Sequence, residues 1–188
     1  MVQSPLKPLT LDAFLALPDT EPASEYIDGH VFAKPMPQGQ HSTLQVELTE
    51  TINAVVKRPK IAKAYTELRC IFGGRAIVPD IAVFAWERIP VNVQGMVENI
   101  FNREPDWLIE ILSPDQSPIH VIDKLLHSLN HGSKMGWLVD PATRSVLVYP
   151  TQQQPQLFKG ADDILPVPDF AQGLDLTAAE VFAWLKHQ

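Results

Sequence analysis

Apolar positions recur at helical spacing in two long stretches and alternate or run together in several short ones. LDAFLALP after Thr10 predicts an N-capped helix stopped by Pro18, with Leu11, Phe14, Leu15 and Leu17 as its buried stripe. SEYIDGHVFAK alternates around Asp28-Gly29, a pair suited to the positive φ of a tight turn, and predicts a hairpin at about 24–34. Past Pro35, Pro37 and Gly39, the residues Leu44, Leu48, Ile52, Val55 and Val56 mark one long amphipathic helix ending near Pro59. Strands are expected at roughly 62–71 and 77–84 around the turn signal Gly73-Gly74, and again at 107–112. A helix at about 118–131 follows, closed by Gly132, with Ile119, Val121, Ile122, Leu125, Leu126 and Leu129 as its core arc. MGWLVD and SVLVYP form the next strand pair, a short strand lies near 156–159, and Thr177 with Glu180 forms a capping box for a last helix. The segment 86–104 is polar and irregular. This order describes an α/β protein with a mixed sheet flanked by helices rather than a regular βαβ series.

One position breaks the pattern. Glu110 stands inside the apolar run WLIEIL, where a charge costs several kcal/mol to bury unless something compensates it. Asp80 opens the similar run VPDIAVF thirty residues earlier, enough chain for an excursion and a return to a neighbouring strand. Alternation puts Glu110 and Leu112 on one face and Ile111 on the other, so Glu110 meets Asp80 if the two strands are neighbours in register. Two adjacent carboxylates favour a shared proton or a divalent cation, and oxygen ligation points to Mg²⁺ or Mn²⁺ rather than zinc. The structural alternative pairs Glu110 with Arg69 or Arg103 and leaves Asp80 as a turn cap.

Composition adds bounds. The 188 residues are 45% apolar and 20% charged, ordinary globular values, and one domain over 1–188 is expected. The N-terminus lacks an apolar signal segment, and the longest apolar run, IAVFAW, is too short to cross a bilayer, so a soluble, cytoplasmic protein is expected. The single Cys70 reads as a small buried hydrophobe. A net charge of −7 argues against non-specific coating of nucleic acid. Residues 57–75, however, hold Lys57, Arg58, Lys60, Lys63, Arg69 and Arg75 against Glu67 alone, a basic patch that is either a guide for a phosphate backbone or a solvated helix end.

No GxSxG elbow, P-loop or GxGxxG is present, which leaves acyl transfer, nucleotide hydrolysis and dinucleotide binding without support. His127 and His131 have metal-ligand spacing but no HExxH context, and with His120 they read as a solvated polar face.

Pro79-Asp80, followed by Glu110 in a strand that leads into a helix, resembles the PD-(D/E)xK nuclease core. EYIDG at 25–29, His41 after a Pro-rich turn, VPDIAVF, PDWLIEILSP and the helix running from Lys124 to GWLVDP resemble, in order, the Uma-type family of restriction endonucleases over about 25–141. That resemblance implies a restriction-endonuclease-like core carrying an N-terminal helix and hairpin. It implies Asp80 and Glu110 as metal ligands, the Ile111 carbonyl as a third, and Glu25 as an accessory carboxylate. The usual lysine two residues after the glutamate is replaced by Leu112, and Lys124, thirteen residues before Trp137, stands where a migrated lysine is expected. On a helical wheel Lys124 lies about 60° outside the core arc, bordering a cleft or snorkelling to solvent. Positions four before and four after this lysine, an aspartate and a tyrosine in the family, are His120 and Ser128 here. The function implied is Mg²⁺- or Mn²⁺-dependent hydrolysis of DNA, with Asp80, Glu110, Lys124 and Glu25 catalytic. The alternatives are a nuclease-derived module that binds or assembles without cutting, and a self-associating protein such as a homodimer.

Overall fold

The computed structural model describes residues 9–114 and 116–186. Its centre is a six-stranded sheet whose sequence is interrupted by a smaller four-stranded one. Helix α1 (Leu11–Leu15) is capped by Thr10, whose hydroxyl accepts from the Ala13 amide. Only Phe14 of the expected stripe is buried; Leu15 and Leu17 face solvent, because a helix of five residues presents a single turn to Tyr26 and the small sheet.

Strands β1 (Ser24–Ile27) and β2 (His30–Ala33) form the expected hairpin, with Asp28 and Gly29 both at positive φ. Helix α2 (Gly39–Val56) buries Leu44, Leu48, Ile52 and Val56 at i, i+4 spacing. The two strands expected at 62–71 and 77–84 are four: β3 (Ala62–Thr66), β4 (Cys70–Phe72), β5 (Arg75–Ile77) and β6 (Ile81–Ala85). Glu67, at φ 50°, turns the chain out of β3, and β4 and β5 instead join β1 and β2 in the small sheet, where β5 pairs with β1. Strand propensity cannot register such a transfer between sheets, since it marks a segment as extended without saying which neighbour it pairs with.

Strand β7 (Trp107–Ile111), helix α3 (Pro118–Asn130) and strand β8 (Met135–Asp140) form a crossover, and β7 and β8 are the parallel pair of the large sheet. Strands β9 (Ser145–Pro150) and β10 (Gln156–Phe158) complete the order β10-β9-β8-β7-β6-β3. Helix α4 (Ala178–Ala183) begins with the Thr177–Glu180 capping box. Two short 3₁₀ turns lie at Trp86–Arg88 and Asp169–Ala171.

Both faces of the large sheet are covered, which explains why β6 and β7 are buried at every position and read as unbroken apolar runs. One face, with Ile81, Val83, Trp107, Ile109 and Ile111, packs on α2 and α4. The other, with Ala82, Phe84, Leu108 and Leu138, packs on α3 and the small sheet. Alternation assigns Asp80 and Glu110 to this second face, beneath α3.

Helix α3 sits differently from its apolar arc. Ile119 and Leu126 are exposed, whereas Val121, Lys124, Leu125 and Ser128 form the inward face. Its polar members are compensated: Lys124 by carboxylates, Ser128 by the Ser133 hydroxyl at 2.6 Å. His127, expected in solvent, is buried, stacked on Phe72, with Nε2 3.2 Å from the Phe72 carbonyl oxygen. No helix among the described residues is long and apolar enough to cross a membrane.

Candidate active site

Strands β6 and β7 pair antiparallel with Ile81 opposite Ile109, so Asp80 and Glu110 occupy opposed positions one step beyond that pair. The expected meeting of the two carboxylates follows from this register. Asp80 Oδ2 accepts a hydrogen bond of 2.7 Å from the Ile111 amide, which fixes the carboxylate against β7. In a strand the N–H and C=O of one residue point to the same side, so the Ile111 carbonyl also faces the β6 edge.

Glu110 pairs with neither Arg69 nor Arg103. Arg69 binds Asp19, and Arg103 donates to the Arg88 carbonyl. The partner of Glu110 is Lys124, whose Nζ lies 2.8 Å from Glu110 Oε1 and 3.1 Å from Glu25 Oε1. At 2% exposure Lys124 does not snorkel; the crossover brings it down onto the sheet. Glu25, on β1, also accepts from the Val78 amide at 2.7 Å, so the small sheet and α3 meet at this carboxylate.

Four further residues, Lys34, Gln45, Glu67 and His41, complete the cluster, and of these the sequence pointed only to His41, without a role. Lys34, just past β2, places Nζ 2.8 Å from Asp80 Oδ1 and 2.8 Å from Glu67 Oε2. Gln45, on α2, donates to Glu67 Oε1 at 2.8 Å and to the Asp80 main-chain oxygen at 2.9 Å. His41, one α2 turn earlier, sets Nε2 3.1 Å from Asp80 Oδ2. His41 carried a signal, its place after the Pro-rich turn. Lys34, Gln45 and Glu67 carried none, because polar residues beside turns and on helix surfaces are common.

The electrostatics separate the two central carboxyls. Burial opposes ionisation of Asp80, but His41 and Lys34 outweigh it and hold this acid well below the ordinary carboxylate range. Burial pushes Glu110 up to about 8, against the pull of Lys124 and with help from the Asp80 charge. Burial disfavours the charged form of Lys124, yet Glu110 and Glu25 more than offset this and its ammonium holds its proton more tightly than usual. Lys34 is likewise raised, by Asp80 and Glu110 against burial. Of the two central carboxyls, Glu110 is therefore the one that takes a proton first.

Glu25, Glu67, Asp80 and Glu110 face the ammonium groups of Lys34 and Lys124, so four carboxylates stand against two ammonium charges whenever Glu110 gives up its proton, as a bound cation would require. Glu110 Oε1 is buried, with the Lys124 ammonium 2.8 Å away. Hard oxygen donors, and the two-charge shortfall left when Glu110 is ionised, fit a divalent cation of the Mg²⁺ type, which needs one or two protein carboxylates and keeps its waters. Among the described residues no three His, Cys, Asp or Glu side chains converge as a ready-made ligand set, so tighter all-protein ligation, as for zinc, is not built here.

Three clefts open around the cluster, with volumes of about 250, 380 and 780 Å³. Lys34 lines the first two, His41 the last two, and Gln116 all three. The basic run lies elsewhere. Lys57, Arg58 and Lys60 follow the far end of α2, roughly 24 Å along the helix axis from His41. Arg75 is bound by Asp28 and Asp123, and Arg69 by Asp19. Residues 57–75 therefore do not form one patch beside the carboxylates.

A family described as "Putative restriction endonuclease", Uma2, matches residues 11–179. No curated protein matches the chain significantly. Among solved structures, the chain is similar to a crystal structure described as a putative nuclease belonging to DUF820 from Anabaena variabilis ATCC 29413. The two share 54% identity and a TM-score of 0.94 over 95% of this chain and 100% of that one.

Proposed function

The chain belongs to the Uma2 family of putative restriction endonucleases, and from that premise we propose that it is a metal-dependent DNA phosphodiesterase of PD-(D/E)xK type with its lysine on a helix. The observation that carries this reading is the convergence of Asp80, Glu110 and Lys124: two carboxylates opposed on adjacent strands, with the lysine Nζ 2.8 Å from Glu110 although Leu112 holds the usual lysine position.

Asp80 and Glu110, with the Ile111 carbonyl, would hold the cation. Bound there, Mg²⁺ or Mn²⁺ would supply Lewis-acid polarisation of a phosphoryl oxygen and a lowered pKa for water. The chain's own residues supply the rest. Lys124 keeps its proton and so acts as a hydrogen-bond donor, orienting the attacking water or steadying the negative charge that grows on the phosphoryl oxygens. Glu25 positions Lys124 through their 3.1 Å contact, and the Ile111 amide and His41 hold Asp80 in its rotamer.

The test is plasmid cleavage in Mg²⁺ or Mn²⁺ paired with calorimetric metal titration. Asp80→Ala is expected to abolish cutting and metal binding together. Lys124→Ala is expected to lose about 10²–10³-fold in rate, the usual size of one lost charge-stabilising donor. Absence of any Mg²⁺ or Mn²⁺ binding that depends on Asp80 and Glu110 sinks the reading. One observation favours a second one, a non-cleaving binding or assembly module: Ser128 is buried against Ser133, away from the carboxylates, so the tyrosine position of the family's helix contributes nothing to the site. Turnover by the wild type that Asp80→Ala abolishes and Lys124→Ala slows by about 10²–10³-fold excludes that module.

A further inference from the structure

Lys34 has no task in this scheme, yet it is the best-anchored cation on Asp80. Its ammonium bridges Asp80 Oδ1 and Glu67 Oε2 at 2.8 Å each. Its main chain is fixed where the hairpin closes, the Lys34 amide donating to the Ala23 carbonyl at 2.9 Å. Glu67 is held in turn by Gln45, and its backbone sits at φ 50°, a left-handed conformation that a non-glycine residue keeps only where its surroundings over-determine it. Asp80 Oδ2 is engaged by the Ile111 amide and His41. Oδ1 is therefore the oxygen whose partner can leave by rotating a flexible four-carbon stem.

We propose that Lys34 is a tethered cation occupying the place on Asp80 that a divalent cation takes, held there by Glu67 and Gln45, and that metal binding requires its ammonium to swing into the adjoining clefts. The inference rests on Asp80 being a metal ligand. A buried carboxylate with no counter-charge is strongly destabilising, so the metal-free site needs a substitute cation. Lys34 supplies it from within the chain. The clefts of about 250 and 380 Å³ that Lys34 lines give the side chain room to move without repacking the core. Once displaced, the ammonium lies beside the same carboxylates, free to meet a phosphate oxygen.

Mn²⁺ alone is the probe, with affinity read by calorimetry or electron paramagnetic resonance and Tm by thermal denaturation, without DNA. Lys34→Met keeps the apolar stem and is expected to bind Mn²⁺ at least ten-fold more tightly than the wild type, with a larger Mn²⁺-induced rise in Tm. Asp80→Asn is expected to abolish both effects. Equal or weaker Mn²⁺ binding by Lys34→Met overturns the proposal, and if that binding still depends on Asp80 the metal site itself stands. Loss of all Mn²⁺ binding in wild type and Lys34→Met alike overturns the metal-dependent nuclease and this proposal together. Should Lys34→Met not fold, the half-exposed Glu67 carries the test. Glu67→Gln removes the lysine's second anchor and is expected to tighten Mn²⁺ binding severalfold, whereas a fall in affinity marks Glu67 as a ligand and overturns the proposal.

Discussion

Burial acts alike on Asp80 and Glu110, yet the two carboxyls end on opposite sides of the ordinary acid range because their partners differ. Asp80 has Lys34, His41 and a backbone amide, all favouring the anion. Glu110 pairs directly with Lys124 alone, shared with Glu25; it feels the Asp80 charge, and Lys34 draws it down only from a distance. The consequence is a stability effect with a definite sign. Glu110 is raised to about 8 in the folded state, so between the unfolded carboxylate range and pH 8 the folded protein holds a proton that the unfolded chain releases. Stability from this group is complete at acid pH and is lost as pH rises through that window. Against Glu110→Gln, which does not titrate, the metal-free wild type is expected to lose up to about 1.4 kcal/mol per pH unit. Urea denaturation of both proteins in EDTA at pH 5, 6, 7 and 8 measures this, and a constant difference across the series would refute it.

At the scale of elements, the site depends on two sheets and a helix holding register, and Arg75 is where they are joined. From β5 its guanidinium binds Asp28 in the hairpin turn and Asp123 on α3, the residue before Lys124. The hairpin carries Glu25 and Lys34, so this arginine braces three of the cluster's residues at once. Arg75→Met keeps the packing and removes both ion pairs. With Asp28 exposed and Asp123 half-exposed, the expected cost is only about 1–2 kcal/mol in urea denaturation. Mn²⁺ affinity is expected to fall severalfold in the same protein, and unchanged affinity would show that the sheets align the site without the brace. The sequence made much of this level legible. The hairpin, α2, the crossover β7-α3-β8 and the final capping box follow from turn chemistry and periodicity, and Asp80 and Glu110 stood out because charge inside an apolar run has few harmless explanations. Lys34, Gln45 and Glu67 were illegible for the converse reason, since they look like surface residues until the fold closes around them. The inward face of α3 was misjudged on the same principle: hydrophobic spacing ranks Ile119 above Lys124, while ion pairing to Glu25 and Glu110 reverses the order.

For the molecule as a whole, charge placement bears on how a polyanion would be met. The body is acidic, with a net charge of −7, and its densest basic run follows the end of α2 opposite His41. Strand β3 confirms the polarity: Thr66 pairs with Ile81 beside the site, whereas Ala62 pairs with Ala85 at the other end of β6. Lys57, Arg58 and Lys60 are exposed and roughly 24 Å from His41, beyond the Debye length of about 8 Å at physiological salt. They therefore contribute little to the potential at the carboxylates. If the proposed phosphodiester chemistry takes place at Asp80 and Glu110, the triple variant Lys57→Gln, Arg58→Gln, Lys60→Gln is expected to cut plasmid DNA at the wild-type rate and to keep the wild-type salt dependence of DNA binding. Each phosphate contact contributes about 0.9 to the slope of log K against log salt, so loss of three such contacts would lower the slope by about 2.7. A fall of that size would mean that the duplex runs the length of α2, and the basic segment would regain the guiding role that its position otherwise removes.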